Sequence, residues 1–179
     1  MIKKRTSSPD DVKENSQDKF QVDGDSVVKI NSRREARALA FQLLYAADRQ
    51  DYSVPLEQII QQFSSGFNLE IPADSLAVQI TQGVIQTQKE LDLQINPLLE
   101  NWKITRLGCC TLLVLRIALW ELRQPDAIPT VIINEAIELA KCFAEKDAYK
   151  FVNGILDEYC KKMGLSDERM GKDDGKNEL

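Results

Sequence analysis

Apolar residues recurring at spacings of three and four constrain this chain more than any other feature. In "SRREARALAFQLLYAADRQ", residues 32–50, Ala36, Leu39, Ala40, Leu43 and Ala47 gather on one helical face. Leu56, Ile59, Ile60 and Phe63 repeat the pattern after Pro55, and Leu76, Ile80, Val84 and Leu91 repeat it after Pro72. "CCTLLVLRIALWELR" is the most apolar run, and its length suits a central helix better than a strand. Ile133, Ala136, Ile137, Ala140 and Ala144 form another stripe, and Val152, Ile155, Leu156 and Tyr159 the last. No stretch of useful length alternates apolar with polar residues, so the expected fold is all-α, with about seven helices packed around apolar seams.

Local signals punctuate these stripes. Ser32 with Glu35 three residues later forms a capping-box pattern, "SSGFN" breaks the second helix, and Pro97 ends or kinks the third. Pro125 and Pro129 fence a short linker, Thr130 is placed to cap the next helix and Asp147 the last. Gly154, in a helix interior, is expected at a close helix crossing. Residues 1–31 and 165–179 are polar and aperiodic and are expected as flexible tails, leaving a folded region at 32–164. At 179 residues the chain has room for one core or for two small helical subdomains, about 32–90 and 91–164.

Composition removes much enzymology. The chain has no histidine, the commonest general base and metal ligand. Cys109, Cys110, Cys142 and Cys160 lack a repeated CxxC spacing, and the first three fall in or beside apolar stripes, so reduced, mostly buried thiols are expected rather than nucleophiles or metal ligands. Glu135 and Glu138 lie on the polar side of a helix with Lys141 in reach of Glu138, which fits a salt-bridged face better than an acid–base pair. No GxGxxG or GxxxxGK[ST] occurs. The expectation is a protein without catalytic centre, metal or cofactor. No apolar run approaches membrane-spanning length and the basic N-terminus has no apolar stretch after it, which points to the cytoplasm.

Arg33, Arg34 and Arg37 stand in the first turns of the first helix, although the net charge is −5. The helix dipole disfavours cations there, and neighbouring like charges repel. A phosphate held by guanidinium forks would offset both, and a salt-bridged face involving Glu35 is an equal alternative on residues alone. In "DAYKFVNG", Lys150 and Phe151 open the last helix beside Tyr149. A cation next to an exposed ring suits single-stranded RNA, charge following the phosphates while the ring stacks on a base; a buried Phe is the commoner fate. One site results if the two helix starts lie side by side.

"RREARALAFQLLY", "LRIALWEL" and above all "INEAIELAKCFAEKDAYKFVNGILD" resemble the bacterial transcription antitermination factors of the NusB family, from about Ser32 to Lys162. The resemblance implies an all-helical fold of two small bundles and no catalysis. It implies binding of boxA-type RNA in nascent ribosomal RNA transcripts, together with NusE, a small-subunit ribosomal protein, within the RNA polymerase antitermination complex. RNA contacts carried over from the family are Arg33, Arg34, Arg37, Lys150 and Phe151, with Tyr45 in addition; Glu35 stands where some relatives have another arginine. A non-catalytic helical scaffold or homodimer is the alternative. An RNA methyltransferase module is disfavoured, because nothing in the chain provides a cofactor-binding α/β domain.

Overall fold

The computed structural model describes residues 27–99 and 103–165. Among the described residues six α-helices follow one another: α1 (Arg33–Asp48), α2 (Leu56–Phe67), α3 (Leu76–Ile95), α4 (Cys109–Leu122), α5 (Pro129–Phe143) and α6 (Ala148–Met163). The one departure from helix and turn among the described residues is a parallel pairing of β1 (Val28–Lys29) with β2 (Leu69–Glu70). The last residues of the expected N-terminal tail therefore join the fold, while residues 1–26 lie outside the described residues. At the other end, the Leu165 N–H donates to the Cys160 carbonyl at 2.9 Å, and the rest of that expected tail, 166–179, also lies outside the described residues.

α4 is the hub, packed against α1, α3, α5 and α6. Its unbroken run of buried residues from Leu113 to Leu119 shows why the sequence there is apolar at every position but Arg116, since a helix surrounded by others has no solvent stripe. One continuous cluster of buried side chains extends from Ala36 on α1 to Cys160 on α6. The α1–α3 pair and the α4–α5–α6 group are thus joined around a shared core, and residue 90, where a subdomain boundary was expected, falls inside α3.

The capping box at α1 forms as expected: Ser32 Oγ accepts from the Glu35 N–H and Glu35 Oε2 accepts from the Ser32 N–H, each at 3.1 Å. Other local expectations need correction. α2 runs through "SSGF" and stops only at Asn68, whose left-handed backbone ends the helix. α5 begins on Pro129, whose fixed φ suits a first helical position, with Ile128 rather than Thr130 as its N-cap. Asp147 does stand at the start of α6, but in left-handed conformation and without a side-chain cap. Its carboxylate pairs with Lys150 Nζ instead, at 3.0 Å.

The glycine at a close crossing is Gly83, not Gly154. A Cβ on Gly83 would collide with the Trp120 indole, so α3 and α4 meet closely only because no side chain stands there, whereas a Cβ on Gly154 would meet open space. Cys142 is exposed rather than buried, and Cys109 and Cys110 are partly buried.

Candidate nucleic-acid interface

α1 presents its first-turn arginines in different ways. Arg33 is exposed on a ridge between two clefts of about 520 and 640 Å³, and makes no ion pair with the described residues. Arg34 is also exposed but leans onto α5, where Nε and Nη2 donate to Glu135 at 3.2 and 2.8 Å. Arg37 does not belong to the accessible patch. Its side chain is 5% exposed, and Nε and Nη2 grip the buried carboxylate of Glu121 on α4 at 2.9 to 3.1 Å. A guanidinium at that depth needs a carboxylate partner to offset its lost hydration, and the partner occupies the fork that a phosphate would use.

The two helix starts do not adjoin; α5 lies between them. Arg34 meets Glu135 early on α5 and Phe41 stacks on Phe143 at its end, so α1 and α5 run in the same direction. The short 144–147 connection then returns α6 against α5, which puts the start of α6 near the end of α5. A single face results, from Arg34 across Glu135, Glu138 and Lys141 on α5 to Tyr149 and Lys150 on α6. Lys141 Nζ and Lys150 Nζ lie 5.5 and 5.7 Å from the centre of the Tyr149 ring, within cation–π range. Phe151 is half-buried against the core, so part of its ring has the packing role expected of most phenylalanines.

Ion pairs balance the cations of this face. Lys141 pairs with Glu138 at 2.7 Å and Lys150 with Asp147 at 3.0 Å. Hydrogen bonding from Arg34 holds the Glu135 carboxyl below its ordinary range, while Glu138 and Asp147 raise Lys141 and Lys150 respectively. The two lysine pairs, exposed on both sides, contribute little in water and exchange readily for a phosphate.

Tyr45 belongs to a separate surface. Eleven residues beyond Arg34, and so roughly 16 Å along the helix axis, it is exposed and stacks on Phe41 with ring centres 6.4 Å apart. With Phe63, Phe67 and Phe143 it lines an aromatic cleft of about 450 Å³. Glu135, Lys141 and the cleft phenylalanines went unrecognised as site residues in the sequence. The helical stripes show each on its own helix, whereas their convergence depends on how α1, α2, α5 and α6 pack.

Among the described residues, no cluster of three His, Cys, Asp or Glu side chains is placed to hold a metal ion, and no helix is long and apolar enough to cross a membrane.

Comparisons with known proteins agree with this architecture. The profile of the NusB family matches residues 34–161. A transcription antitermination protein NusB from Macrococcus caseolyticus (strain JCSC5402) is 37% identical, over 73% of this chain and 97% of its own length. The solved structure of T. maritima NusB superposes with a TM-score of 0.64 at 34% identity, covering 74% of this chain and 92% of that one. A chain from a crystal structure of the antitermination factors NusB and NusE in complex with double-stranded RNA superposes at 0.62 with 26% identity, over 73% of this chain and 96% of its own.

Proposed function

The chain belongs to the NusB family, and on that premise we propose that it is a transcription antitermination factor, a binding protein rather than an enzyme. It holds boxA-type single-stranded RNA of nascent ribosomal RNA transcripts together with NusE, and so helps RNA polymerase resist termination. That work places it in the cytoplasm, among growing transcripts. The observation that carries the reading is the exposure of Arg33 and Arg34 at a helix start in a chain of net charge −5. Screening confines each charge to its neighbourhood, so a local cationic edge attracts phosphate despite the acidic total.

In this reading Arg33, Arg34 and Lys150 contact the phosphate backbone, and the exposed part of Phe151 with the lysine-flanked Tyr149 offers bases a stacking surface. Arg37 supports the patch from beneath. Tyr45 contributes at the margin, from the aromatic cleft. Titrating labelled boxA-type RNA with the protein, alone and with NusE, tests the proposal: saturable binding that tightens with NusE is expected, and no binding in either case overturns it.

The aromatic cleft favours a second reading, self-association, because Phe67 and Tyr45 are 67% and 41% exposed there. Size-exclusion chromatography against concentration decides it: a dimer lost on Phe67→Ser supports self-association, and a monomer throughout removes it.

A further inference from the structure

Glu135 is where two guanidinium groups meet. Arg34 donates to both of its oxygens, at 3.2 and 2.8 Å, and Arg37 Nη1 lies 3.7 Å from Oε2. Arg37 is in turn gripped by Glu121 in the core. Alternating charges thus run from Glu121 through Arg37 and Glu135 to Arg34, from the interior to the surface. The Glu135 side chain is 16% exposed and that of Arg34 65%.

A guanidinium carries five N–H donors in one plane. Glu135 takes one on Nε and one on Nη2, which leaves the outer edge, two donors on Nη1 and one on Nη2, unspent. That edge is what a phosphate engages in a two-pronged contact. A side chain already fixed on its inner edge loses less rotamer freedom when a ligand takes the outer one.

We infer that Glu135 is a positioning residue, whose carboxylate holds the Arg34 guanidinium with its outer edge turned to solvent so that RNA phosphate meets a preoriented fork. The inference rests on the RNA reading above. It has a distinctive sign, because Glu135 is also an anion beside the site. If charge alone mattered, its removal would tighten RNA binding; positioning requires that removal weaken it.

Glu138, one turn along α5 and paired with Lys141, supplies the charge-matched control. RNA affinity is measured for the wild type, Glu135→Gln, Glu138→Gln and Arg34→Lys, alongside the arginine Nε–H signals in ¹⁵N–¹H spectra of the free protein. Glu135→Gln is expected to lose the ordered Arg34 signal and to bind RNA about tenfold more weakly, the effect of one charge-assisted contact. Arg34→Lys, which keeps the charge but cannot present two edges, should weaken binding to a similar degree. Glu138→Gln should bind at least as tightly as the wild type. Equal or tighter binding by Glu135→Gln overturns the inference, as does an Arg34 signal unchanged in that variant. A wild type that fails to bind RNA overturns the underlying reading instead, and is recognised before any variant is compared.

Discussion

Arg37 and Glu121 face each other across the α1–α4 interface in a two-pronged contact of 2.9 to 3.1 Å, their side chains 5% and 7% exposed. Their pairing divides the arginine cluster into two parts. Arg37 anchors α1 to the central helix, and Arg33 and Arg34 remain for a ligand. A chain that places three cations at one helix start can thus spend one on architecture and still present a cationic edge.

Breaking that pair should cost the fold rather than the binding surface. Removing Arg37 leaves the buried Glu121 uncompensated, so Arg37→Met should lower unfolding free energy by about 3–5 kcal/mol, and Glu121→Leu, which leaves Arg37 only its 3.7 Å contact with Glu135, should also destabilise but by less. The double variant should recover much of the loss, because two apolar side chains leave no orphan charge. Urea unfolding of the three variants checks this; recovery absent in the double variant would show that packing, not charge, sets the cost.

The two helical glycines should respond in opposite ways to alanine. Gly83→Ala drives a methyl into the Trp120 indole and should destabilise by about 1–3 kcal/mol through forced displacement. Gly154→Ala adds a methyl where nothing stands within 4 Å and should stabilise by up to about 1 kcal/mol, through helix propensity. Thermal melts of the two variants should move in opposite directions.

Stability should decline on the alkaline side. Burial, followed by the hydrogen bond its thiol donates to Asp48, pushes Cys109 from an ordinary 9.0 up to about 12. Burial likewise raises Tyr52, whose hydroxyl bonds Asp48 and accepts from Arg116. A group whose pKa is higher folded than unfolded stabilises fully below its unfolded value and loses that contribution as pH rises through the folded one. Urea midpoints should therefore fall as pH climbs from about 9 toward 12, and Cys109→Ser should flatten part of the decline. At mildly alkaline pH, thiol alkylation should modify exposed Cys142 well before Cys109.

The apolar stripes and the Ser32–Glu35 box made α1 legible because both are local in the chain, within a turn or two of helix. Arg37 was not, because its fate is decided by Glu121, 84 positions away. A signal was present nonetheless. Arg116 and Glu121 interrupt the most apolar run of the sequence, and charges at such depth require partners: Arg116 finds Asp92 at 2.8 Å from two nitrogens, and Glu121 finds Arg37. Gly154 misled for the converse reason, since propensity marks a helical glycine as costly without saying what its missing side chain would have touched. That Tyr45 meets Phe63 and Phe67 of α2 and Phe143 of α5 in one cleft is likewise a packing fact that no helical wheel contains.

The salt dependence of RNA binding tests the central claim most directly. Each phosphate contact on single-stranded RNA contributes about 0.7 to the slope of log affinity against log salt. Arg33→Ala/Arg34→Ala should therefore bind boxA-type RNA more weakly and with a slope shallower by roughly 1.4, while its melting temperature stays near that of the wild type. A double variant with wild-type affinity and slope would contradict the account, because the start of α1 would then hold no phosphate.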